Sequence, residues 1–548
     1  MNRSIITLLL IATKIYALAY DFKVDDIYYN IISLSPLSVE VTCGECKYSG
    51  TIVIPESVTY SLKSFEVSRI GVMSFNGSKE LSSIVIPKTV TTIESYAFEE
   101  CSSLKNLTIP ASIKNIEAEA FRGCHFDNFV IEDSNNLLSF GTYSSGGIYT
   151  TFSQCDIDTL YLGRPYSSGY EMTFSCPKSV MFGPNVTELY ERAFSGSKIE
   201  SIVIPSTLKK IGVCAFSGCD NLKRIVIEDS ESKLQIESLY YHMYSINSGS
   251  YIGWGYLPAF ASSPLEEIYL GRDIDCNVSP FLNEYYDKYS RTLKSITLTE
   301  LTIGSNVKKI YSNCFENCEK LSKLILPEGV CDLNNQAFMG CIGLKSIRLP
   351  NSLSTIGEDV FANCFSLDTV KVNSLSVLCN IQYGNKYSNP LTYAKHIVEK
   401  DTLVTNLVIP NTVSTIKKSL LEGLDWESVC CLSAVPPKLE DYNFTIAQYA
   451  LLTLYVPKGC FDIYKNADNW NKFVTIEENV YGIYSVGDVN GDGVVNVVDV
   501  VELTNFLMGL PSNILNEKNA DANDDGEIND ADIMCIVNII LKNNKGTI

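Results

Sequence analysis

The chain has 548 residues, of which 46% are hydrophobic and only 19% are charged, so it is long and apolar enough to fold into several packed units. Its formal net charge of −20 argues against binding to nucleic acid, because phosphates are recognised by clustered Lys and Arg side chains. The composition therefore excludes a mainly disordered chain and favours a protein without nucleic acid partners.

The N-terminal residues have the pattern of a signal peptide. Arg3 precedes an apolar stretch from Ile5 to Ala17, and small residues stand at Ala17 and Ala19. We expect cleavage after Ala19, so that residues 1–19 are removed and the mature protein lies outside the cell. No later stretch reaches the roughly 18 uninterrupted apolar residues of a membrane helix. We therefore expect no transmembrane segment.

One repeated pattern dominates residues 20–433. Its copies share a Cys, then Leu or Ile residues at L-x-x-L-x-L spacing, then a Pro, and ten residues later a small or branched residue followed by Phe. Clear copies begin at Cys101, Cys318 and Cys341, and Pro327 lies 23 residues before Pro350. A period in the twenties with this spacing indicates a solenoid of short parallel strands, because one repeat cannot bury its apolar face alone. Each proline is expected to end a strand, since it cannot donate to the ladder.

The cysteines of the repeats recur with the same spacing. A Cys stands three residues after the Phe of each copy, as in Phe98 with Cys101 and Phe361 with Cys364. Because the repeat fixes their positions, we expect these cysteines to be buried structural thiols. A lone C-x-x-C at Cys43 and Cys46 favours a local disulfide or an inert pair over a redox or zinc site, because no second pair stands at zinc-ribbon spacing.

Two longer insertions repeat each other. Residues 131–133 (Ile-Glu-Asp) and 161–164 (Tyr-Leu-Gly-Arg) recur as residues 227–229 and 269–272. The second insertion is rich in aromatic residues, a composition enriched in recognition surfaces. Its candidate ligand face comprises Tyr240, Tyr241, Tyr251, Trp254 and Tyr256. Two interpretations remain open, namely contact with a ligand and cover for a bulge in the core.

The I-x-I-P, I-x-x-x-A-F and F-x-x-C recurrences, the opening from Tyr20 to Tyr29 and the closing segment from Leu454 to Phe473 resemble the BspA-like leucine-rich repeat surface proteins. The resemblance covers nearly all of residues 20–480. It implies an α/β repeat solenoid of leucine-rich repeat type over residues 20–433, with an N-terminal cap and insertions, and a C-terminal capping repeat over residues 434–480. It also implies adhesion and protein binding outside the cell or at its surface, with no catalytic residues to carry over.

Residues 484–548 contain two copies of a loop rich in Asp and Asn. Oxygen-bearing side chains occupy positions 1, 3, 5, 9 and 12, Gly occupies position 6, and position 7 offers a backbone carbonyl. A hard cation such as Ca²⁺ prefers six or more such oxygens on a curled backbone. We predict two calcium ions, held by Asp488, Asn490, Asp492, Val494, Asn496 and Asp499 in the first loop and by Asp521, Asn523, Asp525, Glu527, Asn529 and Asp532 in the second.

An apolar helical pattern follows each loop, at Val500, Leu503, Phe506 and Leu507, and then at Ile533, Ile536, Val537 and Ile540. We expect two small helices that pack face to face, which makes this segment a small all-α module. Eleven acidic residues against three lysines give residues 484–548 a net charge of −8, so the loops repel themselves without a cation. Calcium binding is therefore expected to be coupled to folding.

The Asp at position 12 and the weak helix before the first loop resemble a type I dockerin. That resemblance implies a cohesin partner, contacted at loop positions 10 and 11, here Val497, Val498, Asp530 and Ala531. Because the two halves differ at these positions, equivalent binding in two orientations is not expected. A stability cap and a surface-attachment element remain alternatives for this module.

These features together favour a secreted or cell-surface, adhesin-like protein that binds extracellular or host proteins and is displayed or attached through a calcium-dependent dockerin-like module. The alternative is a carbohydrate-binding or polysaccharide-degrading component of a dockerin–cohesin complex. We expect no enzyme, because the three histidines stand in no recognised catalytic motif. A glycosidase carboxylate pair can lie far apart in a chain, which keeps the alternative open.

Overall fold

The computed structural model describes residues 20–144, 148–168, 174–244, 251–276, 280–281, 297–399, 402–417, 420–440, 443–478, 486–490, 495–512, 517–523 and 527–544. The predicted signal peptide, residues 1–19, lies outside this part of the chain. The chain forms two compact units, Met1–Leu321 and Ser322–Ile548. The boundary falls inside the predicted solenoid, and repeats occur in both units.

The first unit begins with an antiparallel cap. Its strands are β1 (Phe22–Val24), β2 (Ile27–Leu34), β3 (Leu37–Thr42), β5 (Ser57–Tyr60) and β6 (Lys63–Ile70). Strand β3 pairs with β6 in parallel, which joins the cap to the first coil. Tyr48 is buried beneath this cap and donates its hydroxyl to the Thr42 carbonyl at 2.7 Å.

Each repeat of the first unit contributes a longer strand to one parallel ladder. These strands are β4 (Ser49–Val53), β7 (Glu80–Val85), β9 (Asn106–Ile109), β11 (His125–Ile131), β15 (Asp156–Leu162), β17 (Pro177–Phe182), β19 (Ser201–Ile204), β21 (Arg224–Ile227), β25 (Glu267–Leu270) and β27 (Glu300–Ile303). They pair in parallel as β4–β7, as β9–β11–β15–β17 and as β19–β21–β25–β27. Alternate residues such as Leu107 and Ile109 are buried, and Pro110 follows the strand end, as predicted.

A second, shorter strand in each repeat forms another parallel ladder. Its members are β8 (Thr92–Ile93), β10 (Asn115–Ile116), β12 (Leu138–Phe140), β16 (Tyr166–Ser168), β18 (Glu188–Leu189), β20 (Lys210–Ile211), β22 (Leu234–Ile236), β26 (Ile274–Asp275) and β28 (Lys309–Ile310). Turns rather than helices connect the two strands in these coils. Two antiparallel hairpins project from the enlarged coils, β13 (Thr142–Ser144) with β14 (Ile148–Thr150), and β23 (Leu239–Tyr244) with β24 (Tyr251–Leu257).

A continuous stack of phenylalanine rings runs through the core of the first unit. Neighbouring rings lie 5.0 to 5.7 Å apart, and the stack comprises Phe75, Phe98, Phe121, Phe152, Phe174, Phe194, Phe216, Phe260, Phe281 and Phe315. Each repeat supplies one ring, so the stack continues without interruption across the two insertions. Offset aromatic contacts of this kind add to the energy of burial.

The recurrent insertion residues form a buried arginine clamp. Arg164 is fully buried and donates to the carbonyls of Ala111 and Pro110, at 2.8 and 3.1 Å. Arg272 makes the same pair of hydrogen bonds to the carbonyls of Ser206 and Pro205, at 3.0 and 2.8 Å. Each arginine thus connects the end of its own strand, β15 or β25, to the end of the strand two places earlier in the ladder, β9 or β19.

The tyrosine and glycine of the same motif form a second contact. Tyr161 donates its hydroxyl to the Asp133 carboxylate at 2.9 Å, and Tyr269 donates to Asp229 at 3.0 Å. A Cβ atom on Gly163 would lie 2.5 Å from the Ile131 carbonyl oxygen, so only glycine allows the backbones to approach this closely. Every residue of the repeated Tyr-Leu-Gly-Arg motif therefore has a packing role.

The second unit continues the repeat pattern with more variation. Its longer strands are β29 (Lys323–Ile325), β31 (Ser346–Arg348), β33 (Thr369–Val372), β35 (His396–Glu399), β37 (Asn406–Ile409), β39 (Ser428–Cys431), β41 (Thr453–Tyr455) and β42 (Thr475–Glu477). The two-residue strand β36 (Thr402–Leu403) pairs antiparallel with β35. Its short strands are β30 (Asp332–Leu333), β32 (Thr355–Ile356), β34 (Gln382–Tyr383), β38 (Thr415–Ile416) and β40 (Lys438–Leu439).

Short helices replace some turns in the second unit. These are α1 (Leu375–Asn380), α2 (Ile446–Leu451) and α3 (Phe461–Lys465), with 3₁₀ turns at Lys386–Ser388, Pro390–Thr392 and Trp470–Lys472. In the predicted capping segment Trp470 is buried and donates to the Pro437 carbonyl at 2.7 Å. The last helices are α4 (Val497–Leu507), α5 (Glu517–Ala520) and α6 (Asp530–Asn544).

Candidate calcium-binding module and partner surface

Helix α4 begins with a capping box supplied by the first acidic loop. The Asn496 side chain accepts a hydrogen bond from the Val498 amide at 2.7 Å, and the Asp499 carboxylate accepts one from the Asn496 amide at 2.8 Å. Asn and Asp are favoured at these positions because their oxygens satisfy amides that the first helical turn leaves open. Predicted ligand residues therefore also fix where the helix starts.

A small core joins the two helices, as the apolar pattern predicts. Its fully buried members are Val489, Leu503, Ala520 and Ile536, and Val500, Leu507, Ile533 and Ile540 pack against them. Phe506 differs from the prediction, because its side chain is 40% exposed. Phe506 follows Leu503 by three residues and lies at the edge of the buried stripe of the helix, so it belongs to the exposed surface.

The first loop brings its predicted ligands together around one buried carboxylate. Asp488 and Asp499 are fully buried, and Asn490 is nearly so. The Asn490 amide donates to Oδ1 of Asp499 at 3.1 Å, while the Asn496 amide donates to Oδ2 at 2.8 Å. The position-12 carboxylate is thus held in a fixed orientation by the backbone at positions 3 and 9.

The second loop repeats this arrangement. Asp532 is fully buried, the Asn523 amide donates to its Oδ1 at 3.1 Å, and the Asn529 amide donates to its Oδ2 at 2.9 Å. Asp521 is half-buried, whereas Glu527 is exposed and could contribute its backbone carbonyl. Two loops far apart in sequence therefore share the same position-12 geometry.

This chemistry fits calcium. The donors are carboxylate, amide and carbonyl oxygens only, which is the ligand set that Ca²⁺ prefers. Burial of the charged carboxylates at Asp488, Asp499 and Asp532 is costly unless a cation compensates it. The predicted ligands Asp492, Val494 and Asp525 lie outside the described residues.

The two halves of the module present different surfaces at the starts of their helices. Val497, Val498 and Val501 on α4 are all exposed, with Val497 at 65%. The equivalent positions on α6 are Asp530, Ala531 and Met534, which are also exposed. The first half thus offers an aliphatic patch where the second half offers a carboxylate, a methyl group and a methionine side chain.

The aromatic candidate ligand face lies on the β23–β24 hairpin. Tyr240 pairs with Tyr256, His242 with Trp254 and Tyr244 with Tyr251 in its antiparallel register. The backbone therefore places the predicted residues on two adjacent strands. The side chains of Tyr240, Tyr241, Tyr251, Trp254 and Tyr256 lie outside the described part of the structure.

The solvent-facing side of the longer ladder carries a feature that the sequence reasoning missed. Its outward residues nearest the strand ends form an apolar row, defined here as Val130, Tyr161 and Met181 on β11, β15 and β17, together with Val203, Val226 and Tyr269 on β19, β21 and β25. The outward residues two positions earlier form a polar row, such as Ser179 and Ser201. Period-two alternation around the inward Leu and Ile residues would have identified both rows.

One further cluster of potential metal ligands lies on the same face. His125, Asp127 and Asp158 have ligand atoms within 4.8 Å of one another. The Lys178 ammonium lies 2.6 Å from Oδ1 of Asp158, however, so a cation already neutralises one of these carboxylates. We assign no metal to this cluster.

Comparison with known families accounts for both parts of the chain. A model of the BspA type leucine-rich repeat region matches in 6 copies over residues 68–146, 149–252 and 290–389, which is more than half of the chain. A model of the type I dockerin domain matches residues 486–541. No curated protein matches the chain significantly. Among the described residues, no helix has the length and apolar character to cross a membrane.

Several solved bacterial structures resemble the chain in fold. A leucine-rich repeat protein from Bacteroides ovatus is 22% identical, with 64% of this chain and 94% of that chain covered and a TM-score of 0.29. A leucine rich cell surface protein from Faecalibacterium prausnitzii is 24% identical, with coverages of 67% and 98% and a TM-score of 0.32. The pneumococcal vaccine antigen PcpA is 18% identical, with coverages of 84% and 100% and a TM-score of 0.23. At these TM-scores the fold assignment rests on the family match and the parallel ladders.

Proposed function

Because this chain belongs to the BspA type leucine-rich repeat family and carries a type I dockerin domain, we propose that it is a secreted, adhesin-like protein. In this proposal the repeats bind extracellular or host proteins, and the dockerin domain attaches the chain to a surface or scaffold. Both matched families are binding or structural modules without catalytic machinery. We therefore propose no enzymatic activity.

The observation that carries the proposal is the matched pair of buried position-12 carboxylates. Type I dockerin domains bind calcium, and we propose two ions, one in each loop. Asp488, Asn490, Asn496 and Asp499 would hold the first ion with the predicted Asp492 and Val494. Asp521, Asn523, Glu527, Asn529 and Asp532 would hold the second with Asp525. The amides that bind Asp499 and Asp532 present each carboxylate to its loop.

The aliphatic patch supports a role for the first half of the module in partner binding. A type I dockerin implies a cohesin partner, and we propose that Val497, Val498 and Val501 bury against it. Exposed aliphatic side chains gain free energy when a partner removes them from water, whereas Asp530 would lose hydration. The module would therefore bind predominantly in one orientation.

The apolar row supports protein binding by the repeats. Met181 and Val203 are each about half exposed. Met181 lies opposite Tyr161, which donates to Asp133. Val203 lies opposite Val226, which in turn lies opposite Tyr269. Exposed apolar side chains gathered on one sheet face are typical of protein interaction sites. A carbohydrate-binding role would instead rest on the aromatic hairpin, and no described side chain there favours it.

Calorimetric titration of the full chain with calcium, and then with a panel of type I cohesins, tests the attachment. We expect calcium-dependent binding that Val498→Asp weakens strongly. Ala531→Asp is the matched control in the second half and should have little effect. Equal losses in the two variants would contradict the one-sided surface, and binding in the presence of a calcium chelator would contradict the calcium requirement.

Binding of the full chain to immobilised matrix proteins and polysaccharides, without calcium, tests the repeats. Met181→Lys should weaken protein binding, whereas Ser179→Lys, on the same strand and with the same added charge, should weaken it much less. Binding that is confined to polysaccharides, or hydrolysis of them, would contradict the adhesin-like role.

A further inference from the structure

Several cysteines that follow the recurring phenylalanines make the same type of hydrogen bond. Four of these thiols donate to the backbone carbonyl of the Phe in an earlier coil, as Cys101 does to Phe75 at 3.1 Å and Cys124 does to Phe98 at 2.9 Å. Cys219 and Cys364 make the same bond, to Phe194 and Phe338, at 3.2 and 3.3 Å. These thiols point along the stack at a carbonyl rather than at one another.

Cys155 and Cys176 depart from this arrangement. Cys155 stands three residues after Phe152, but Cys176 stands only two residues after Phe174. The Cys155 thiol neighbours the Cys176 thiol, and its backbone hydrogen bond is to the Asp156 carbonyl, at 3.7 Å. Both side chains are buried. The shortened spacing thus brings together two sulfur atoms of neighbouring coils.

The backbone around this pair has dimensions that suit a disulfide. Strands β15 and β17 run in parallel with Ile157 opposite Pro177, so continuing the register places Cys176 beside Asp156, one residue from Cys155. With strands about 4.8 Å apart and a rise of about 3.3 Å per residue, the two Cα atoms are roughly 5.8 Å apart. Disulfides span Cα separations of about 4.4 to 6.8 Å.

We propose that Cys155 and Cys176, which immediately precede strands β15 and β17, are a specific disulfide-forming site that joins two neighbouring coils when the chain folds under oxidising conditions. The two thiols lose two protons and two electrons as the S–S bond forms. Oxidised glutathione, or another small disulfide, accepts the electrons and is reduced to two thiols. No other group in the coil changes.

Burial explains when this bond would form. Loss of hydration holds the pKa of Cys155 well above its usual range, and the neighbouring Cys176 thiol adds to that effect. Thiolate is the form that attacks a disulfide, so the folded coil would exchange slowly. The bond should therefore form during folding and then resist reduction in the native protein.

The test is a disulfide map of the full chain. The protein is refolded with calcium in a buffer of reduced and oxidised glutathione, alkylated in denaturant without reductant, digested and analysed by mass spectrometry. We expect a peptide pair joined through Cys155 and Cys176, with Cys101, Cys124 and Cys219 alkylated. A second cross-link, between the buried neighbours Cys276 and Cys314, would not bear on this result. The oxidised protein should also melt at a higher temperature than the reduced protein.

Two variants separate pairing from folding. Cys176→Ser should leave Cys155 open to alkylation in denaturant, while Cys219→Ser, which removes a carbonyl-bonded thiol, should leave the cross-link intact. Complete alkylation of both Cys155 and Cys176 in the unreduced wild type would overturn the proposal. A cross-link from Cys155 to Cys124 instead would also overturn it, because pairing would then not follow the thiol contact.

Discussion

Asp532 offers a sharp test of the calcium geometry, because both of its carboxylate oxygens have defined partners. The side chain is fully buried and accepts the amides of Asn523 and Asn529, at 3.1 and 2.9 Å. In Asp532→Asn the shape is kept, but one oxygen becomes an NH₂ group. Whichever way the new amide is turned, one part-buried backbone N–H then faces a donor.

The magnitude follows from that lost acceptor. Leaving a fully buried donor unsatisfied costs about 1–3 kcal/mol. Because these amides are part-buried, that range is an upper limit, and the calcium affinity of the loop should decrease by up to roughly 150-fold. Removal of the negative charge acts in the same direction. The first loop keeps Asp499 and should be less affected. Calorimetric titration of the full chain with calcium measures both steps.

Asp530→Asn is the matched control, because it removes the same charge two residues away on α6. Asp530 is exposed, and interactions between exposed charges are worth about 0–1 kcal/mol, so the affinity should change much less. Equal effects of the two substitutions would show that overall charge, and not the buried geometry, governs binding. An unchanged titration of Asp532→Asn would refute the assignment of this residue.

Three further predictions concern the repeats. Arg164→Met removes the donors to two buried carbonyls and should destabilise its coil by about 2–5 kcal/mol, measured as faster hydrogen exchange there; unchanged exchange would contradict the clamp. Gly183→Ala would place a Cβ atom 2.4 Å from Oδ1 of Asp133 and should lower the melting temperature, whereas an unchanged melting temperature would refute the close approach. Burial raises the pKa of the Cys124 thiol to about 12. The buried neutral thiol therefore makes its full contribution to the free energy of unfolding below the unfolded-state pKa of about 8.5, and this contribution is lost as pH rises toward 12. At pH 8 a thiol reagent should modify exposed Cys46 quickly and Cys124 very slowly; equal rates would contradict this.

Much of the repeat architecture could be predicted from the sequence, because one local pattern determines both strand spacing and core position. The recurring Phe residues, such as Phe98 and Phe121, form the continuous ring stack, and the prolines mark the strand ends. The dockerin helices followed from the apolar positions after each loop. In these places local pattern and long-range packing agree.

Contacts that depend on register across an insertion could not be predicted. Arg164 reaches the carbonyls of residues more than fifty positions earlier, and nothing local to its motif indicates that target. The Cys155–Cys176 contact likewise depends on how two coils align. Phe506 was expected in the core, but the short α4 helix buries only a narrow stripe and leaves this ring at its edge.

Hydrogen exchange of the full chain, with calcium and then with a chelator, tests most directly the claim that calcium folds the attachment module. The account predicts that amides of α4 and α6 are protected only when calcium is present, while those of the parallel ladders exchange equally in both conditions. Protection of α4 and α6 that persists unchanged in the chelator would contradict it.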